Sequence, residues 1–342
     1  MKKIILSLLS LLVAVGSAEA KSWKVGPSSV SGMDFASINA AMESPEVAKG
    51  DTLYLDQYYN ENDIQTVSKQ VVIIGTGYDT SLTDEQVVAT LTNTLELKAN
   101  GVTVKSVKLY IAEFYNQECT LDRCMITSTI QTKSSTAGMN HVYSCYVDGI
   151  VTGYSESSYS KMDIQNCFLK FGSTSDNIHF LTSSIIRFNT IISTSPWKTY
   201  YCISRVDNTD ISNNILLHID GPDSDIDSKS GDTGSGNSIE HNILSRTTAL
   251  NYFPNNKIGF GGSSSELFTQ TGNYSDYYKL AENSAALGYA TDGGEVGCHG
   301  GMFGCPAGGR PQYIPYFSKV TVGSVSNEGK LPVSVTIKIQ DK

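Results

Sequence analysis

The sequence predicts an all-β fold in which one chain winds into a parallel β-helix, a solenoid of stacked coils. A repeat is the main observation: an aliphatic residue, then Cys or Asn three places on, then a second aliphatic residue two further. The Cys or Asn positions are 21, 22, 22, 25 and 28 residues apart. This period, with β-branched segments and no helix between them, argues against leucine-rich and helical solenoids. The repeats open at Leu121, Val142, Ile164, Ile186, Ile211 and Ile239.

The first part of the chain predicts a cap and the earliest strands. Asp34 is a candidate N-cap, and Phe35, Ile38 and Met42 follow at helical spacing, so a short amphipathic helix is expected over 34–46. An exposed end of a β-stack needs such a cover. Alternating or β-branched runs predict strands over 23–25, 50–55, 70–75, 87–97 and 102–109.

The two ends of the sequence differ from the repeats. Residues 1–20 have two lysines, an apolar run and an Ala-Glu-Ala site, which predicts a secretory signal peptide and export to the periplasm or cell exterior. The β-helix is expected over 21–310. Residues 311–342 are expected to form a β-hairpin tail packed on the helix, with strands over 319–325 and 331–339.

Charge and hydropathy limit the partners. The formal net charge is −9, and removing residues 1–20 takes away two lysines and one glutamate, which gives 23 − 33 = −10. We expect no nucleic-acid binding, because phosphate contacts dominate that affinity and need basic residues. No apolar stretch is long enough to predict a membrane span. The expected product is a soluble monomer whose possible partner is a polysaccharide.

The repeat also predicts an outward surface. The residue after each Cys or Asn should point away from the core, because strand residues alternate. An apolar row on six coils is unusual for an exposed face. We expect the C-terminal tail to cover part of it, and the alternative is an interface for a partner, as in an adhesive or structural subunit. This stripe consists of Met125, Tyr146, Phe168, Thr190, Ile215 and Ile243.

Two stretches resemble a known family. Phe35–Ala41 with Gly50-Asp51-Thr52-Leu53-Tyr54-Leu55 resembles the opening of the pectin lyase-like right-handed parallel β-helix superfamily. Thr291-Asp292-Gly293-Gly294-Glu295-Val296-Gly297 is similar to the closing coil of its secreted bacterial members. Ala285 and Cys298 depart from that pattern, where Pro and Ala are usual. The resemblance implies a right-handed β-helix. It does not imply one activity, because the superfamily includes lyases, hydrolases, esterases and proteins of no known activity.

Three groups of residues are candidates for chemistry. In a superfamily lyase an Arg or Lys serves as the base for β-elimination, and Arg187 and Arg205 are the candidates here. Trp and Tyr in a polar loop suit stacking on sugar faces, which singles out Trp197, Tyr200 and Tyr201. An acidic loop suggests a hard-cation site such as Ca²⁺, with a solvated loop as the alternative. Its carboxylates are Asp220, Asp223, Asp225, Asp227 and Asp232.

Other motifs favour structural roles. The Asn members of the repeat predict an asparagine ladder between coils, and the Cys members predict small buried side chains in the same column. Cys298 and Cys305 flank a Gly-rich loop and are candidates for a local disulfide. Asn208-Thr209-Asp210 resembles the first acidic motif of polygalacturonases, but the remaining motifs of that family are absent, so Asp210 is expected in a turn.

The function predicted from these observations is polysaccharide binding or a structural role at the cell surface, since no catalytic set is complete. A calcium-assisted uronate lyase is the first alternative, and an adhesive subunit that uses the stripe is the second.

Overall fold

A computed structural model gives the fold of the residues that it describes. These are residues 20–79, 87–134, 138–171, 175–194, 199–218, 225–227, 236–251, 253–258, 267–269, 279–304, 309, 316–322 and 333–338.

One parallel sheet runs the length of the described solenoid, and we call it sheet 1. It receives one short strand from each of ten coils. In sheet order these strands are β1 (Ser22–Val25), β2 (Thr52–Leu55), β5 (Val72–Ile74), β7 (Thr103–Lys105), β9 (Thr120–Asp122), β11 (Asn140–Tyr143), β14 (Met162–Gln165), β17 (Ile185–Arg187), β20 (Asp210–Ser212) and β22 (Ser238–Glu240).

A second parallel sheet of fourteen described strands wraps the rest of each coil. Its early strands are β3 (Asn60–Glu61), β4 (Gln65–Val67), β6 (Thr90–Leu97), β8 (Lys108–Phe114) and β10 (Met125–Thr132). After β10 this sheet divides into two rows of strands, which we call arm 2 and arm 3. Arm 2 contains β12 (Tyr146–Asp148), β15 (Phe168–Phe171), β18 (Thr190–Ser193), β21 (Ile215–His218), β23 (Ile243–Leu244) and β24 (Lys257–Ile258), and arm 3 contains β13 (Ile150–Thr152), β16 (Ile178–Thr182) and β19 (Ile203–Asp207).

This arrangement confirms the predicted parallel β-helix with three short strands per coil. The first aliphatic residues of the repeats align in one column, with Leu121 beside Val142 and Ile164 beside Ile186. The second aliphatic residues align in another, as Val147 does with Leu169. Except for Ile239, which is partly buried, both columns are fully buried, and they form one continuous core inside the solenoid. Stacking therefore gives each short strand the apolar neighbours that it lacks alone.

The corner between sheet 1 and arm 2 is built by left-handed residues. The residue before each Cys or Asn of the repeat has a φ between 50° and 60° and turns the chain from one face to the next. Such values are unfavourable for most residue types, so the repeated geometry must be held by the coils around it. These residues are Arg123, Ser144, Asn166, Phe188, Asn213 and His241.

The Cys and Asn column lies inside this corner, and the predicted ladder is confirmed. The amide nitrogen of Asn189 donates to Asn214 Oδ1 (2.9 Å), and that of Asn214 donates to Asn242 Oδ1 (2.9 Å). Asn256 continues the ladder as an acceptor for Asn242 N at 2.8 Å. The sequence repeat misses Asn256, because it follows Asn242 after only 14 residues. The column is therefore a device for closing the coils.

The outward stripe is buried, with no member more than 8% exposed. Much of its cover belongs to the segment 280–304, and Tyr78, Leu267 and Phe268 join the same apolar cluster. Its expected coverage by the tail 311–342 stays a prediction. Gly297 approaches so closely that a Cβ atom would lie 2.7 Å from Ile215 Cδ1, and Cys298 N donates to Thr190 Oγ1 (3.1 Å). Asn166 Nδ2 donates to the Cys298 carbonyl at 3.0 Å. Because the chain covers its own stripe, this surface is not open to a partner.

The two terminal elements match the expectations in part. The helix α1 (Ile38–Glu43) packs on β4, an end strand, but it is shorter than expected. Its N-cap is Ser37, which accepts from Ala40 N, so the prediction of Asp34 is wrong. Asp34 instead accepts from Lys24 N at 2.7 Å.

The predicted hairpin is present as the antiparallel strands β25 (Tyr316–Val322) and β26 (Val333–Lys338). The packing of this hairpin on the β-helix stays a prediction. A short 3₁₀ helix, Thr247–Asn251, is also described. None of the helices described is long and apolar enough to cross a membrane.

Candidate functional site

A loop between β13 and β14 forms one wall of the candidate site, on arm 3. Gly153 starts the loop where a Cβ atom would lie 1.8 Å from the Phe180 carbonyl, so only glycine permits this approach. Ser155 and Ser158 then exchange backbone hydrogen bonds of 3.3 and 3.1 Å and close a tight turn. Ser160 ends the loop, and its Oγ accepts from Tyr154 N at 3.0 Å. The turn is thereby held in one position.

The facing wall comes from β16 and β19. Phe180 and Arg205 occupy equivalent places in these strands, and both have left-handed backbones, with φ of 60° and 50°. The guanidinium of Arg205 lies 5.2 Å from the centre of the Phe180 ring, within cation–π range. Arg205 Nη1 also lies 3.5 Å from Glu156 Oε1, across the pocket. The Tyr159 ring is tilted against Phe180 at 6.0 Å.

Between the two walls lies an open pocket of about 430 Å³. This volume lies within the range of small-molecule sites and is large enough for one or two sugar residues. Its lining residues are Glu156, Ser157, Tyr159, Thr182 and Asp207. Within the described part of the chain, the carboxylate of Asp207 has no hydrogen-bond or ion-pair partner. A carboxylate that lines a cavity without a protein partner is available to a ligand.

Behind the pocket, arm 3 has a buried polar group. Asp176 Oδ1 accepts from Tyr201 N at 2.6 Å, and its other oxygen accepts from the Ser204 hydroxyl. Burial lowers the pKa of His179, although Asp176 opposes this effect, so the imidazole is neutral at pH 7. This region therefore adds no second positive charge near Arg205 at pH 7.

The structure separates the two arginines that the sequence paired as candidates. Arg205 lies at the pocket on arm 3, whereas Arg187 lies in β17 on sheet 1. Arg187 Nη2 bonds the carboxylate of Asp210, and Ser212 Oγ donates to the other oxygen of Asp210 at 2.7 Å. The two guanidiniums therefore serve different surfaces and form no joint base and carboxylate-binding pair. Asp210 lies in β20 and not in a turn, which corrects that expectation.

Arg187 belongs to a polar network on the outer face of sheet 1 that the sequence analysis missed. The Tyr143 hydroxyl donates to Asp163 Oδ2 (2.6 Å) and lies 2.8 Å from His141 Nδ1. Gln165 Nε2 donates to Asp163 Oδ1 at 2.7 Å. The strand register places these residues in two adjacent outward rows that also contain Arg187, Asp210 and Ser212. We call this set, His141, Tyr143, Asp163, Gln165, Arg187, Asp210 and Ser212, the network face.

Hydrogen bonding dominates the ionisation of the network face. The bond to Asp163 raises the pKa of His141, with Glu118 adding to the effect and burial opposing it. Burial alone would raise the pKa of Asp163, but bonds from His141, Tyr143 and Gln165 outweigh it and hold that pKa below its usual value. Each group satisfies its neighbour, so this face offers a ligand few uncommitted polar atoms.

The acidic loop is described only in part, and Asp220, Asp223 and Asp232 lie outside the described residues. Asp225 is fully buried and accepts from Ser245 N at 2.7 Å and from the Ser245 hydroxyl. Burial raises its pKa to about 6. Asp227 is 5% exposed. Among the described residues, no three His, Cys, Asp or Glu side chains converge as metal ligands.

The aromatic loop is also described in part. Trp197 lies outside the described residues, as does Cys305, the predicted disulfide partner of Cys298. Tyr200 and Tyr201 are half-buried, and Tyr201 leads directly into β19, two residues before the strand begins. The aromatic residue that lines the pocket is instead Tyr159, whose ring is tilted against Phe180 of β16. A tyrosine-containing loop outside the repeat register was the sequence signal for Tyr159.

Comparisons of the chain with protein-family models, with curated proteins and with solved structures found no match. Function is therefore inferred from the residues of the pocket.

Proposed function

We propose that this protein binds polysaccharide, and that the pocket on arm 3 receives one or two sugar residues of the chain. The observation that carries the proposal is the combination of a tyrosine with an uncommitted carboxylate in one polar pocket. Tyr159 supplies a ring that is supported by Phe180, and Asp207 supplies acceptors for hydroxyl groups. Sugars present both an apolar face and hydroxyl donors, so such a pocket suits them.

The position of the pocket supports a polymer as the ligand. It is open, and it lies on a face whose strands stack at about 4.8 Å per coil, so a chain can extend beyond it along the solenoid. A catalytic role has less support, because Arg187 and Arg205 lie on different faces.

We further propose that the chain is an exported member of the pectin lyase-like right-handed β-helix superfamily. The parallel three-faced solenoid supports this assignment, together with the opening and closing motifs of the sequence.

Affinity electrophoresis through a panel of neutral, amino and acidic polysaccharides tests the proposed function. Retardation by at least one polymer is expected. Tyr159→Ala should weaken the retardation about fivefold, which corresponds to about 1 kcal/mol of lost ring contact. Tyr54→Ala is the matched control, because Tyr54 is 44% exposed on β2 and lies on sheet 1. Migration unaffected by every polymer would refute polysaccharide binding.

A further inference from the structure

The charges at the pocket are unequal. Glu156 and Asp207 line it, and Arg205 is the positive group that the structure places beside them. His179, the nearest titratable group on the wall behind, is buried and carries no charge at pH 7. The described groups that face the pocket therefore sum to one negative charge, with two carboxylates against one guanidinium.

The two carboxylates are not equivalent. Glu156 is 73% exposed by its side chain and is paired with Arg205, which is itself stacked on Phe180. The guanidinium is thus held by a carboxylate and an aromatic ring, and it is only partly available to an incoming anion. Asp207 lines the pocket at the end of β19, and its carboxylate has no described partner. The group left without a partner is an acceptor with negative charge.

We infer that the pocket selects a sugar bearing a free amino group, such as a glucosamine unit, over neutral sugars and over uronates. The ammonium of the sugar would pair with Asp207, and its ring face would lie against Tyr159. A uronate would meet Asp207 with like charge and would have to displace Glu156 from Arg205. This inference rests on the proposed polysaccharide binding and narrows its ligand class.

Four tetrasaccharides test the selection. Three share a β-1,4-linked glucose backbone and differ at C2, where they have a hydroxyl, an acetamido or a free amino group. The fourth is a tetragalacturonate. Calorimetric titration at low salt should show the amino tetramer binding about fivefold more tightly than the hydroxyl and acetamido tetramers. The preference should decrease with added salt, because partly exposed charges are screened.

Variants locate the preference. Asp207→Asn should abolish the advantage of the amino tetramer over the hydroxyl and acetamido tetramers. Arg205→Gln should increase the advantage, since it removes the competing cation. Asp63→Asn makes the same charge change in an exposed loop between β3 and β4 and should leave the preference unchanged. Circular dichroism checks that each variant retains the β-helix.

The outcomes separate this inference from the proposed function. Equal binding of the three glucose-backbone tetramers, or tightest binding of the tetragalacturonate, would overturn amino-sugar selection and leave polysaccharide binding intact. Tetragalacturonate binding that appears only with added calcium would overturn it in favour of a bridging cation. An amino preference that survives Asp207→Asn would also overturn it. Failure of all four tetramers and of every polymer in electrophoresis would overturn both proposals.

Discussion

The network face on sheet 1 and the pocket on arm 3 use similar residues with opposite results. Each has an arginine, carboxylates and a tyrosine. On the network face Asp163 accepts from Tyr143 and Gln165, and Arg187 bonds Asp210. At the pocket Asp207 lacks a described partner and encloses space with Tyr159. A polar surface of a solenoid is thus structural where its groups satisfy one another, and it is available for binding where they do not.

The largest effect on stability is expected at the asparagine ladder, which lies at the corner between sheet 1 and arm 2. Asn214 Nδ2 donates to the Ile186 and Ser212 carbonyls, at 2.7 and 3.0 Å, and Asn214 Oδ1 accepts from Asn189. Asn214→Ala leaves these buried groups unsatisfied and should lower the free energy of unfolding by about 4 kcal/mol. Urea denaturation measures it. Asn255→Ala, at an exposed neighbour of the ladder, should change the value by less than about 0.5 kcal/mol.

One aspartate variant on each face compares the two faces directly. Asp163→Ala removes a carboxylate that is 10% exposed and leaves the Tyr143 and Gln165 donors unpaired, so a loss of about 3 kcal/mol in unfolding free energy is expected. Asp207→Ala should cost less than about 0.5 kcal/mol and should instead weaken ligand binding. Urea denaturation of the two variants side by side gives the comparison. Equal losses of stability would contradict the distinction between the faces.

The pH dependence of stability should identify the network face. The raised pKa of His141 adds stability that is complete below its unfolded value near 6.5 and is lost as pH rises through the folded pKa. The lowered pKa of Asp163 adds stability that is complete above about 3.8 and is lost as pH falls through the folded pKa. The network therefore stabilises most between these limits.

His141→Gln should remove the loss on the alkaline side, an effect of about 1 kcal/mol after solvent screening. Thermal denaturation from pH 5 to pH 9 measures it, with Asp207→Asn as the control that should retain the wild-type profile. An unchanged profile in His141→Gln would assign the pH dependence to other groups.

The smallest effect on stability is expected for the two arginines. Arg187→Gln and Arg205→Gln should each cost less than about 1 kcal/mol, because both side chains are about 40% exposed and their ion pairs are screened. The two variants should differ in binding, which should change only in Arg205→Gln. A change of polysaccharide binding in Arg187→Gln would show that the network face also contacts the ligand.

The sequence predicted those parts of the fold that repeat from one coil to the next. A period near 22 residues repeats the same inward positions, so Val142, Ile164 and Ile186 could be aligned without coordinates. The same alignment places Tyr143 beside Gln165 and Arg187 beside Ser212, so the network face was within reach of the sequence. The Cys and Asn column points inward, so this column by itself gives no sign of the outward polar rows.

The sequence by itself determined the parallel β-helix, its core columns, the ladder and the existence of a covered stripe, because these follow from periodic burial of apolar side chains. Only the tertiary structure decided that residues 280–304 cover the stripe, that Arg187 and Arg205 face different surfaces, and that Glu156 meets Arg205 at 3.5 Å. These contacts join a loop outside the repeat register to a strand 49 residues later (205 − 156). A contact between such a loop and a distant strand leaves no periodic pattern in the sequence. The pocket is therefore visible only in the tertiary structure.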